Sequence, residues 1–318
     1  MRSTCWVRND RHGTLTAVRQ HAGDGRGLVF GLAAYGLWGV FPAFFGLLSP
    51  AGALEVLAHR IVWTVLLLAV LLVAIRRVRD VRAISRRTWL LLAAASVLIS
   101  TNWLIYIYAV NADHVVDAAL GYFMTPLVSV ALGVAFFGER LNRAQAVALV
   151  IAVAAVVLLS VGVGGPPLIA IGLALSFGLY GAVKKVVPTD PRVSVAVETA
   201  IAAPFALVYL FALWLAGASQ FTSNGAGHTV LMLLCGPVTA IPLLFFGAAA
   251  QRLPLVTLGL LQYLTPSMQM VWGVLVEHEP MPPVRWIGFA AIWLALAIFS
   301  TDGLFRAFGG RAGTLQAS

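Results

Sequence analysis

LGYFMTPLVSVALGVAFFGE, residues 120–139, and LLQYLTPSMQMVWGVLVEHE, residues 260–279, decide the architecture when set side by side. Thr125-Pro126, Gly133-Val134 and Glu139 of the first stretch return as Thr265-Pro266, Gly273-Val274 and Glu279 of the second, at a constant offset of 140. Working outward, Gly36-Leu37-Trp38-Gly39 returns as Gly178-Leu179-Tyr180-Gly181 at an offset of 142, and Glu55 has its counterpart in Glu198. A fixed period of this kind marks an internal duplication.

Both copies are embedded in apolar chain. Of the 318 residues, 60% are hydrophobic and 10% charged, where an average soluble domain carries about 25% charged residues. Charge-poor segments run over 27–48, 54–75, 88–110, 115–137, 142–162, 166–185, 192–216, 229–250, 255–276 and 284–304. Each is close to the roughly 20 residues that cross the hydrocarbon core as a helix. The expected fold is an all-α polytopic membrane protein of ten transmembrane helices. Short connections, from Asn111 to His114 and from Gln251 to Pro254, make consecutive helices antiparallel neighbours.

Residues 27–162 form the first repeat and 163–304 the second, five helices each. An odd number sends the second copy into the membrane from the opposite face, giving inverted repeats with a substrate site near the midplane between them. Residues 1–26 and 305–318 are tails, the first without helical amphipathy and read as disordered.

Charge orients the chain. Arg2, Arg8, Arg11, Arg19 and Arg26 precede the first span, and Arg76, Arg77, Arg79, Arg82, Arg86 and Arg87 crowd the second loop. Later even-numbered loops hold Arg140 and Arg143, then Lys184, Lys185 and Arg192, then Arg252; among the odd-numbered loops, Arg285 alone borders one. The positive-inside rule then puts both termini in the cytoplasm of a multi-pass protein of the plasma (inner) membrane. The net charge of +9 is spread over these loops and makes no basic face interleaved with aromatic residues, so nucleic acid is not an expected partner. The first span, with Ala51-Gly52-Ala53 behind it, has an apolar core longer than a signal peptide's ~7–15 residues and is expected to stay. Cys5 and Cys235 make neither a disulfide framework nor a metal motif. No nucleotide fingerprint is present, so no cofactor is expected and any energy comes from gradients.

Gly31-Leu32-Ala33-Ala34-Tyr35 with Trp38-Gly39 and Pro42, His59-Arg60 with Trp63, Asn102-Trp103-Leu104, Ala109-Val110-Asn111, and Leu120-Gly121-Tyr122-Phe123 with Pro126-Leu127 carry a further signal. So do Leu258-Gly259 with Gln262-Tyr263 and Pro266, and Ile292-Trp293 with Ile298-Phe299. In these motifs, over about residues 27–304, the chain resembles the EamA-type drug/metabolite transporter superfamily and within it the RarD group. The resemblance implies an inner-membrane carrier of two EamA repeats, a permease or exporter of a small organic solute such as an amino acid, metabolite or drug. Two positions depart from the group: Gly46, where a lysine is common, and Thr125-Pro126, where Asn-Pro is common. The rival from another class is an intramembrane enzyme acting on a lipid or isoprenoid, which needs a nucleophile and base, or clustered carboxylates, facing each other. The scattered polar residues do not assemble such a set.

Ionisable groups inside a span cost about 2.5–3.5 kcal/mol on insertion scales and are functional candidates. Glu55 and His59, at i,i+4, share a helix face and are candidates for ion coupling, while Arg60 points about 100° away and, near the outer helix end, can snorkel. Glu198 lies deeper. A carboxylate there is costly to keep charged and suits proton coupling, or it is hydrogen-bonded to a neighbouring helix. Lys184 and Lys185 read as positive-inside anchors, and Glu139 and Glu279 as braces for the helices that follow them. Tyr35, Trp38, Asn102, Trp103, Tyr106, Tyr180 and Gln262 are candidates for a substrate pocket of aromatic walls and a few polar groups. Pro126 and Pro266 each free a backbone carbonyl one turn earlier, and with Gly133 and Gly273 they are candidate gating positions. Protons and the lipid bilayer complete the expected partners, and ten helices with an internal pseudo-dimer suffice for a monomeric carrier.

Overall fold

The computed structural model describes residues 25–111, 115–160, 168–276 and 283–312, and among these no strand occurs. The helices are α1 (Gly25–Gly39), α2 (Phe41–Gly46), α3 (Ala53–Ala74), α4 (Val78–Arg82), α5 (Arg86–Asn111), α6 (Val115–Phe137), α7 (Arg143–Ser160), α8 (Leu168–Val186), α9 (Pro191–Leu215), α10 (Gly225–Ala250), α11 (Leu255–Gln262), α12 (Leu264–Leu275) and α13 (Pro283–Ala312). All ten apolar segments are helical. Among the described residues, seven stretches are long and apolar enough to cross a membrane: α1 with α2, then α3, α5, α6, α8, α9 and α10. Segments five and ten supply shorter apolar stretches, Arg143–Leu159 and Trp286–Ala295.

The remaining segment, the ninth, is broken, and the reason is local. Pro266 has no N–H for the Gln262 carbonyl, and the chain turns through Tyr263 between α11 and α12. Thr265 Oγ1 donates instead to the Tyr35 carbonyl of α1 at 2.8 Å. The first segment is also broken, at Val40, with Pro42 in the first turn of α2, where a proline's missing N–H costs nothing. Pro126 occupies the repeat position of Pro266, yet α6 continues through it. The same residue type therefore interrupts one copy and not the other.

Packing is dominated by contacts between the halves. The α3–α9, α6–α11 and α7–α13 pairs are each their own image when the first five segments are exchanged with the second five. The others come as image pairs: α1–α10 with α5–α8, α3–α10 with α5–α9, and α6–α8 with α1–α12. The self-paired helices run antiparallel: Glu55 at the start of α3 meets Ser219 and Gln220 just beyond α9. A pseudo-twofold axis thus relates two intertwined halves. Small residues set the closest approaches. At Gly259 of α11 a Cβ would stand 2.9 Å from the Pro126 carbonyl oxygen, and at Gly236 of α10 it would stand 2.8 Å from the Trp63 backbone. In lipid, where no hydrophobic force drives helices together, such close backbone contacts carry the association.

Candidate functional site

The deepest polar cluster is built by α8 and α9. The turn between them ends at Asp190, whose carboxylate accepts the Arg192 N–H at 2.9 Å and so caps α9 ahead of Pro191. Lys184 and Glu198 stand at equal distances in sequence on either side of Pro191, so the hairpin brings them to one level. Lys184 Nζ lies 2.7 Å from Glu198 Oε1, with the lysine side chain 0% and the glutamate 2% exposed. Lys184 Nζ also donates to Ser194 Oγ at 2.5 Å, and Ser194 Oγ donates to Glu198 Oε1 at 2.6 Å. Tyr180 OH donates to Glu198 Oε2 at 3.1 Å. Both carboxylate oxygens are thereby used, which is the condition for a tolerable buried charge pair.

Lys184 corrects the sequence reading: it turns into the bundle and is no surface anchor. Its stem passes beside Gly247 of α10, where a larger residue would obstruct it. Lys185 stays near the surface, ion-paired to Glu139 Oε1 at 3.1 Å. Glu139 also departs from its expected role, because it braces α11, not the helix that follows it. Gly138, at φ +61°, turns the chain back after α6, and the Glu139 carboxylate accepts the Leu255 and Val256 N–H groups at 2.7 and 2.8 Å. It satisfies two of the free donors at that helix start. Glu279 lies outside the described residues.

Beside Glu198 is an aromatic wall. Tyr180 stacks on Phe246 at 5.6 Å between centroids; Phe246 also meets Trp38 at 5.6 Å and Tyr35 at 6.2 Å; Phe177 closes the group. A narrow void with room for about one water runs between Trp103, Ser100, Tyr180, Glu198, Thr199 and Leu243. Three candidates, Trp103, Tyr180 and Glu198, thus meet at one space, and Tyr35 and Trp38 back it. Asn102 is not part of it: its amide donates to Leu173 O and Ser176 Oγ, both at 3.0 Å, and ties α5 to α8. Gln262 is buried at the end of α11, just before the break. Gly133 packs beside Val256 and the Glu139 carboxylate, and Gly273 falls within α12.

Glu55 and His59 form a separate group at the opposite end of the bundle. Glu55 Oε1 accepts from Ser219 Oγ at 2.9 Å and from the Gln220 N–H at 2.8 Å. The His59 ring stacks on Phe221 at 4.6 Å, and its Nδ1 accepts from Trp63 Nε1 at 3.0 Å. Arg60 does not snorkel outward. It turns inward, donating from Nε to Thr239 Oγ1 at 3.0 Å, with Trp103, Phe45 and Phe41 around its guanidinium. Tyr106, at the same end, faces Tyr122 at 5.8 Å. Among the described residues, no group of three His, Cys, Asp or Glu side chains could hold a metal.

The duplicated helices have a counterpart among known proteins. The description of the EamA-like transporter family matches the chain twice, over residues 25–161 and 166–301. The chain belongs to that family. Within it the chain is a member of the RarD group of the drug/metabolite transporter superfamily. It is 49% identical over 289 residues to Protein RarD of Streptomyces exfoliatus, covering 90% of this chain and 91% of that protein. It is 43% identical over 284 residues to an uncharacterized transporter of Vibrio cholerae serotype O1, covering 88% and 93%. A protein crystal structure superposes with a TM-score of 0.67 at 18% identity, covering 86% of this chain and 96% of its own, a likeness of fold alone. An EamA protein of this kind is a multi-pass membrane transporter. Ser194 and Phe246 escaped the sequence reading, and Lys184 reads there only as an anchor. For Lys184 a signal existed, since opposite charges equidistant from a helical hairpin turn are placed to meet.

Proposed function

We propose that the chain is a secondary transporter of the plasma (inner) membrane that exports a small organic solute by alternating access of its two repeats, with ten spans and both termini cytoplasmic. The observation that carries this reading is the interlocking of the halves, in which each dominant helix pair is its own image or has one across the axis. A protein built this way has two nearly equivalent packings available, related by exchanging the roles of the repeats, and alternating access needs two such packings.

The two ends are held differently. At the end rich in basic loops, Glu139 joins α6 to α11 and Lys185, and Gln251 Nε2 donates to the Val187 and Thr189 carbonyls. At the other end Arg60 and Tyr106 remain partly accessible. Polar latches of this kind are the bonds that must exchange when the gate opens. Glu198 is suited to proton coupling: protonation would remove its attraction for Lys184 and loosen α8 from α9.

The test is release from proteoliposomes loaded with a mixed pool of amino acids, nucleosides and amphipathic drugs, identified by mass spectrometry at pH 6 and 8. Selective release of one class, with pH dependence lost in Glu198→Gln, is the expected result. Release no faster than from protein-free vesicles, under gradients of either sign, would refute the transporter reading.

A further inference from the structure

We infer that Arg60 anchors a carboxylate on the transported solute, which makes that solute an organic acid with an apolar or aromatic body. This deepens the transporter reading and rests on it.

The other cation drawn into the helix bundle has a counter-ion, Lys184 with Glu198, and nearer the surface Lys185 is paired with Glu139. Arg60 has none among the described residues. Glu55, one turn earlier on α3, turns to Ser219 and Gln220, and Glu198 is occupied by Lys184, Ser194 and Tyr180. A guanidinium is permanently charged and carries five N–H donors; here a single hydrogen bond, from Nε to Thr239 Oγ1, uses one of them. An intramembrane charge without a partner is costly and marks a site of function.

The surroundings specify what fits. The guanidinium carbon lies 5.0 Å from the Trp103 ring centre, 5.1 Å from Phe45 and 5.8 Å from Phe41. Aromatic faces offset part of the positive charge but supply no lone pairs for the remaining N–H groups. Arg60 is only partly covered by the protein. A carboxylate matches the guanidinium fork with two parallel hydrogen bonds. One arginine supplies one charge, which balances a monoanion and leaves a phosphate dianion half unmatched. The walls next to it favour an apolar remainder: Trp103 carries the site directly to the void beside Tyr180, and Tyr106 and Tyr122 stand near enough to feel the arginine charge. Arg60, its hydroxyl partner and its three rings come from four helices, α2, α3, α5 and α10, drawn from both halves, so a solute bound here spans the surface along which the repeats move.

Binding can be measured without flux. The full chain, purified in neutral detergent, is heated with matched pairs: phenylacetate against phenylacetamide, hexanoate against hexanamide, and inorganic phosphate alone. The acids are expected to raise Tm and the amides to leave it nearly unchanged. Arg60→Gln should weaken acid binding at least about tenfold, the scale of a lost charge-assisted hydrogen bond, with Arg60→Lys intermediate. Equal binding of acid and amide, no binding by either, phosphate binding as tightly as the acids, or an acid preference intact in Arg60→Gln would each overturn the assignment. Should Arg60→Gln fail to fold, the acid–amide comparison in the unaltered chain still decides. Acid binding together with an absence of flux would sustain the carboxylate site and remove the transporter reading instead.

Discussion

Glu55 and Glu198 stand at corresponding positions of the two repeats, yet they live in different chemistry. Glu55 is 2% exposed and accepts from a hydroxyl and a backbone N–H of the segment that follows α9. Glu198 is 3% exposed and shares a proton-rich nest with an ammonium, a serine and a tyrosine. The duplication copied the carboxylate and the burial but not the partner, because Lys184 aligns with Pro42 at the offset of 142 that joins the first and sixth segments. Duplicate positions can therefore diverge into one group that ties a loop and one that carries a charge pair.

The largest test of that contrast is Lys184→Met. Removing the cation strands a buried carboxylate, and such a break typically costs about 3–5 kcal/mol. Chemical unfolding in mild detergent should show it, and Lys184→Met with Glu198→Gln should restore most of the loss. If the single and double variants are equally unstable, the ion pair is not what holds this cluster. Glu55→Ala comes next. It gives up hydrogen bonds from neutral donors to a carboxylate and leaves Ser219 and the Gln220 N–H unsatisfied, for about 1–3 kcal/mol. A loss as large as that of Lys184→Met would erase the distinction between the two carboxylates.

The smallest effect belongs to Asp190, at the surface end of the same helix as Glu198. The Arg192 side chain bonded to it holds its carboxyl below the ordinary value of 3.8. A depressed value in the folded state adds stability above the unfolded value, and this is lost as pH falls through the folded one. Asp190→Asn should therefore lower Tm slightly at pH 7, within the roughly 1 kcal/mol of an exposed ion pair, and the difference should close in acid. A gap that persists once the Asp190 carboxyl is protonated would assign the effect to packing instead of charge.

Much of this was legible in the chain as written. Hydropathy marked all ten segments that became helical, and the offset of 140 marked the duplication, because both are one-dimensional patterns of residue type. The break at Tyr263 was foreshadowed by Pro266, whereas the continuity of α6 through Pro126 was not, since local rules treat the two prolines alike. Tyr180 and Trp103, read as pocket residues, meet Glu198, read as an ion-coupling residue, at one narrow void, while Asn102 spends its amide on α5–α8 contact. Arg60 read as a snorkelling side chain because its depth was visible and its direction was not.

The sequence by itself determined an apolar, duplicated, helical membrane chain, since period, span length and loop charge depend on neighbours along the backbone. Tertiary structure alone decided that Lys184 turns inward to Glu198, that Glu139 caps α11 and that Arg60 faces rings with no counter-ion among the described residues. Each of those outcomes depends on which helix crosses which, and charges far apart in the chain interact through distances that sequence does not contain.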